Sequence, residues 1–190
     1  LANSNESFKK ILTSDVLLIN GKKYRNWPAI KEDIELRIHN LHHEDDNCLI
    51  HGDLCFSNIF CDFKNKNFKL IDPRGKWGST MFGDLKYDVA KLRHSVVGGF
   101  DTITNGLCTA SVSDGNHITM KIFEPKNHQE VYKYLDELIQ NQWNLNEIKL
   151  IEGLLFISML PLHKDHFERQ LAFYSIGIQR LNEVLDKTSE

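Results

Sequence analysis

The sequence predicts an α+β fold, mainly helical, with small β-hairpins. Apolar residues recur at helical spacing through most of the chain after residue 128. Short apolar runs bounded by Asn, Gly and Asp lie before residue 72 and on both sides of residue 115. Pro28 and Asp84 stand where helices begin, since proline loses no hydrogen bond in a first turn and aspartate caps one.

Taken in order, residues 1–12 suit a short helix through Phe8, Ile11 and Leu12. Val16–Ile19 and Lys22–Tyr24 flank Asn20-Gly21, a pair suited to a tight hairpin turn. The helix begun by Pro28 carries Ile30, Ile34, Leu36, Ile38 and Leu41 on an apolar face, expected to pack beneath the loop that follows residue 50. Glu44-Asp45-Asp46-Asn47 reads as a solvated turn. Cys48-Leu49-Ile50 and Phe68-Lys69-Leu70-Ile71 read as buried strand ends. Asp84 opens a helix expected to turn Leu85, Val89 and Leu92 inward and to leave Lys91, Arg93 and His94 as surface decoration. Gly98-Gly99 breaks it, and a second hairpin, Leu107–Val112 with His117–Ile122, turns at Asp114-Gly115-Asn116. Three helices follow: Gln129–Leu138 with Val131, Tyr134, Leu135 and Leu138 on one side, Ile148–Leu160 ended by Pro161, and Phe167–Leu185.

A chain of 190 residues can bury ~70% of its unfolded surface, enough for one sizeable core. The formal net charge of −3, with no basic stripe interleaved with aromatics, argues against nucleic acid or an acidic membrane surface as a partner. No apolar run reaches membrane-spanning length, and LANSNESFKK lacks the pattern of a secretory signal. Cys48, Cys55, Cys61 and Cys108 form no Cys-x-x-Cys pair and suit small buried hydrophobes, so a reducing, cytoplasmic setting is expected. His42 and His43 near Cys48 do not have the spacing of a zinc site.

The chemistry concentrates in Leu49–Gly75. The first apolar run ends at His51-Gly52-Asp53, the second at Asp72, and Asn58 follows Asp53 by five positions. A carboxylate buried at the end of an apolar run is costly unless it faces a cleft and a partner. Phosphoryl transfer to an alcohol needs one carboxylate to take the hydroxyl proton, and a second carboxylate with an amide oxygen to hold Mg²⁺ on the nucleotide phosphates. Asp53 would be the base, Asn58 and Asp72 the metal and cofactor ligands.

At these residues the chain resembles the aminoglycoside phosphotransferase and choline kinase group of kinase-like enzymes. The group's His-x-Asp-x-x-x-x-Asn loop is matched by His51, Asp53 and Asn58, and its metal-binding Asp after a hairpin by Asp72. Its Gly-Asp-x-x-Tyr-Asp-x-Ala element is matched by Gly83–Ala90. The likeness spans residues 28–185 and implies a protein-kinase-like carboxy-terminal lobe whose hairpins carry the catalytic loop, with ATP and Mg²⁺ as cofactors and a small-molecule hydroxyl as acceptor. It also implies that His51 braces the loop and that Asp84 and Asp88 support it from below. The form Ile71-Asp72-Pro73-Arg74-Gly75 departs from the group's commoner pattern and is similar to members linked to surface-polysaccharide loci, which implies a sugar or polyol acceptor. Arg74 either pairs with Asp84 or Asp88 or contacts an anionic group or acceptor.

No Gly-rich phosphate loop or strand-borne lysine precedes residue 49, so the roughly 80–100 residues of a nucleotide-covering lobe are expected upstream in a parent chain or on another chain. Residues 1–27 are then the remnant of a hinge or linker to that lobe, and residues 28–190 the catalytic lobe. A catalytically inactive binding module lacking the lid is the alternative. A metal-dependent phosphohydrolase ranks third, because His51 alone would supplement Asp and Asn as ligands.

Overall fold

The computed structural model describes residues 2–41, 47–76 and 80–186, and they form a mixed α+β fold. The chain opens with α1 (Ala2–Thr13), β1 (Val16–Ile19), β2 (Lys22–Arg25) and α2 (Trp27–Ile38). The Asn20-Gly21 turn has positive φ at both residues, as its composition requires. After β3 (Asn47–Leu49), a single 3₁₀ turn over Phe56–Asn58 leads into the hairpin β4 (Ile59–Asp62) and β5 (Asn67–Leu70). Then come β6 (Phe82–Asp84), α3 (Leu85–Val96), α4 (Phe100–Thr104), β7 (Cys108–Ser113), β8 (His117–Ile122), α5 (His128–Gln140), α6 (Leu145–Ser158) and α7 (Phe167–Asp186). A 3₁₀ turn over Leu160–His163 joins the last two helices.

The two sequence-predicted hairpins join one sheet in the order β2-β1-β8-β7, with β1 parallel to β8. Asn20 extends this seam with its side chain, donating to the Met120 carbonyl at 2.9 Å and accepting from the Met120 amide at 2.8 Å. The sheet packs on α7. Ile11, Leu17, Ile19, Ile30 and Ile34 share a core with Phe156, Leu171, Phe173 and Tyr174. Phe8, Ile11, Leu17, Ile19 and Tyr24 thereby tie α1, β1 and β2 to the main core. Asn26 fastens them: its amide donates to the carbonyls of Ile11 and Ser14 at 2.7 and 2.5 Å and accepts from Tyr174 Oη at 2.7 Å. A second, smaller core of Ala90, Ile139, Ile148 and Leu155 joins α3, α5 and α6. Helices α6 and α7 cross closely where Gly177 leaves room, since a Cβ there would lie 2.8 Å from Ile157 and 3.1 Å from the Gly153 carbonyl.

Several expected burials are corrected. Helix α2 packs on α1 and α7 rather than beneath the loop after residue 50, and Leu36 is exposed. The supposedly buried strand ends are open: Leu49, Phe68 and Leu70 are all more than half exposed. They lie in β3–β6 and β4–β5, two-stranded ribbons, and a ribbon covers at most one of its faces. Val131, Tyr134 and Leu138 of α5 also face solvent, leaving Ile139 and Leu135 to meet α6. In α3, Leu85 is exposed while Lys91, Arg93 and His94 are buried with Lys86, Asp88 and Ser95, contrary to expectation, whereas Val89 packs on the smaller core as expected. Glu44, Asp45 and Asp46 lie outside the described residues.

Candidate functional site

The site is assembled on α3. Asp88, Lys91 and Ser95 follow one another at spacings of three and four, so they share one helix face, and each grips the loop that follows β3. Asp88 accepts from the backbone amides of His51 at 2.6 Å and Gly52 at 2.8 Å. Lys91 Nζ meets Asp53 Oδ1 at 2.8 Å. Ser95 Oγ accepts from the Phe56 amide at 2.9 Å and donates to Asp101. Asp84 takes a different task. It caps α3 by accepting from the Lys86 amide at 2.8 Å.

Within the loop, His51 Nδ1 accepts from the Asp53 amide at 3.3 Å, which fixes the proton of a neutral ring on Nε2; Nε2 then donates to the Ile71 carbonyl at 2.9 Å. His51 thus ties the Asp53 turn to Ile71, the residue before Asp72. Gly52 sits at φ +76°, and a Cβ there would approach Arg74 Cβ to 2.9 Å, so the loop and the Arg74 segment touch where a side chain has no space. The Arg74 amide closes this contact by donating to the His51 carbonyl at 2.8 Å.

Asn58 is buried and donates through Nδ2 to the Asp53 carbonyl at 2.9 Å and to Asp53 Oδ2 at 3.3 Å. Its carbonyl oxygen is left as a hard donor. The Ile71 amide donates to the Asn58 backbone carbonyl at 3.1 Å, so Asp72 follows one residue beyond a direct contact with Asn58. Asp72 is exposed and holds φ +53°, a left-handed conformation that aspartate tolerates better than most residues.

Asp53, Asp72, Arg74, Tyr87 and Lys91 line one open pocket of about 620 Å³. Its far wall is apolar, formed by Ile151, Leu154 and Leu155 of α6 with Met159 and Leu162 beyond it. Arg74 Nη1 reaches Tyr87 Oη at 3.5 Å. Burial pushes the Tyr87 phenol above its ordinary value; Arg74 opposes this and the Asp53 and Asp88 carboxylates add to it. The phenol is therefore a neutral hydroxyl facing the pocket. Of the corner residues between α6 and α7, Leu162 lines the pocket, whereas His163 packs on Phe173 and bonds Arg169.

Three buried residues of α3 were expected on the surface, and each has a structural reason to be inside. Lys91 is drawn in by Asp53. Arg93 makes two bonds to Asp136, at 2.7 and 3.0 Å, and one to the fully buried Glu152. Glu152 also takes Arg180 Nε at 3.3 Å, so this network locks α3 to α5, α6 and α7. His94 stacks on Phe156 and Phe100, with centroids 4.0 and 4.5 Å away, and neither ring nitrogen has a partner among the described residues. Burial, helped by the Lys91 charge, holds His94 well below its ordinary value and hence neutral. The missed signal was the spacing itself: polar residues at 88, 91 and 95 form a stripe that a purely solvated helix face would not need.

The donor set suits a hard cation. Asn58 and Asp72 offer oxygen, and Mg²⁺ takes one or two protein oxygens while phosphate and water complete its shell. No group of three or more His, Cys, Asp or Glu side chains able to hold a metal occurs among the described residues, and His42 and His43 lie outside them. The described cysteines are all unpaired thiols. No described helix is long and apolar enough to cross a membrane. Comparison with family models, with curated proteins and with solved structures gives no match.

Proposed function

We propose that this chain is the catalytic part, equivalent to a kinase-like carboxy-terminal lobe, of an ATP- and Mg²⁺-dependent small-molecule kinase that phosphorylates a hydroxyl of a sugar, polyol or amino alcohol. Two observations support this reading: the shared pocket of Asp53 and Asp72, and the bond from Asn58 to Asp53.

Bound Mg·ATP supplies the phosphoryl group and the charge that offsets its oxygens, with Asn58 and Asp72 as the residues that would hold the ion. Asp53 accepts a hydrogen bond from the acceptor hydroxyl and takes its proton as the new oxygen–phosphorus bond forms. ATP, when bound, would yield its γ-phosphoryl group to that oxygen with the electron pair departing on the nucleoside diphosphate, and Asp53 would return the proton to water. The apolar wall from α6 seats the body of the acceptor and keeps water from the hydroxyl's place. Leu49, Phe68, Leu70 and Phe82 expose apolar surface on the ribbons around the catalytic loop, the kind of surface that a covering lobe would bury.

The test, made on the chain together with its nucleotide-covering lobe, is transfer of the γ-phosphate of Mg·ATP to a panel of alcohols (galactose, ribitol, choline and kanamycin). Transfer to at least one, lost in Asp53→Asn, is the expected result. No transfer to any acceptor and no Mg·ATP binding by calorimetry would favour a binding module instead.

A further inference from the structure

We infer that Lys91 is the positioning residue for Asp53: a buried ammonium that clamps the carboxylate in a single rotamer facing the pocket. The clamp itself rests on geometry alone, and its consequence for turnover rests on the phosphotransferase reading above. The two partners are unequal. The Lys91 side chain is 3% exposed and that of Asp53 45%. An exposed aspartate has water to solvate it and no need of a lysine. A buried ammonium has no such alternative, and among the described residues Asp53 is the one carboxylate paired with it. The Phe100 ring lies beneath the ammonium, 5.4 Å from its centroid, and His94 one turn on is held neutral. The fold thus places a cation in a dry position where its charge is directed at Asp53.

The two oxygens of Asp53 are anchored separately. Oδ1 meets Lys91 Nζ at 2.8 Å and Oδ2 meets Asn58 Nδ2 at 3.3 Å. The Asn58 contact is long and comes from a neutral donor, whereas the Lys91 contact is short and charge-assisted. Without Lys91, an aspartate with nearly half its surface in water is held by the weaker anchor and samples its other rotamers. A base displaced by about 1 Å loses on the order of 100-fold in rate.

Lys91→Met retains the stem that packs inside the protein and removes the charge. Two measurements then decide. In nuclear magnetic resonance spectra of the 190-residue chain, the scalar couplings of the Asp53 methylene should report one χ1 rotamer in the wild type and averaging in Lys91→Met. In the alcohol-panel assay, kcat should fall roughly 10- to 100-fold while the KM for Mg·ATP stays within about twofold, since the nucleotide ligands are untouched. An Asp53 that keeps one rotamer in Lys91→Met, or an unchanged kcat, overturns the inference. If Lys91→Met does not fold, Lys91→Gln is read by the same criteria. A wild type that phosphorylates no alcohol removes the kinase reading instead, and the rotamer measurement then decides the clamp by itself.

Discussion

Replacing Asp88 by alanine removes the carboxylate that holds the start of the His51–Asn58 loop. Its two oxygens accept from the amides of His51 and Gly52 at 2.6 and 2.8 Å, and Asp88 itself is 4% exposed. Hydrogen bonds to an ionised group are worth about 1.5–3 kcal/mol each, so the pair is worth roughly 3–6 kcal/mol. The Gly52 amide is buried and stays unsatisfied, whereas half-buried His51 can recover some water. That lowers the expected loss to about 3–5 kcal/mol. For a chain of this size each kcal/mol moves Tm by about 2–4 °C, so Asp88→Ala should melt roughly 6–20 °C below the wild type. Urea unfolding followed by circular dichroism gives the free energy directly. Asp88→Asn, with one acceptor oxygen in place of two, should fall between alanine and the wild type. A loss below about 1 kcal/mol for Asp88→Ala would mean that the loop is held by something else, because a single neutral hydrogen bond contributes that much.

Glu152 bridges Arg93 and Arg180 with no solvent exposure. Glu152→Ala leaves two guanidinium groups under-compensated and should destabilise the fold by about 3–5 kcal/mol, measured by the same urea titration; a near-neutral result would refute the network's role. His94 gives the pH dependence. Its folded value is depressed by burial, so below the ordinary value of about 6.5 the unfolded chain takes up a proton that the folded chain refuses. Stability should therefore fall with pH below that value, by at most about 1.4 kcal/mol per pH unit, until the folded midpoint is reached. His94→Phe should flatten this limb relative to wild type, and parallel pH profiles for the two proteins would show that His94 is not the group titrating.

How much was legible depended on whether the signal was local. The hairpin at Asn20-Gly21, the helix entered at Pro28 and the cap at Asp84 all came from backbone chemistry confined to a few residues, and all are present. The parallel pairing of β1 with β8 joins segments about a hundred residues apart, and no turn residue encodes it. Apolar content misled at Leu49, Phe68 and Leu70, because a hydrophobic run signals burial only where another layer exists to receive it. The reverse error occurred in α3. Lys91, Arg93 and His94 read as solvated because charged and polar residues usually are, yet each is drawn inside by a partner or an aromatic seat elsewhere in the chain. Within the site, the spacing of His51, Asp53 and Asn58 picked out one loop, and the structure shows Asp88 bonded to its backbone and Asp84 capping α3. Lys91 was within reach, since 88, 91 and 95 repeat at helical spacing. Only the loop they hold reveals what that stripe is for.

The most direct measurement is the rate at which the chain, together with its nucleotide-covering lobe, moves the γ-phosphate of Mg·ATP onto an alcohol, compared between wild type and Asp53→Asn with folding of both verified by circular dichroism. The account predicts Mg²⁺-dependent transfer by the wild type and a loss on the order of 100-fold or more in the variant, the scale of a positioned general base. Equal rates in the two proteins, or transfer that persists when Mg²⁺ is chelated, would contradict it.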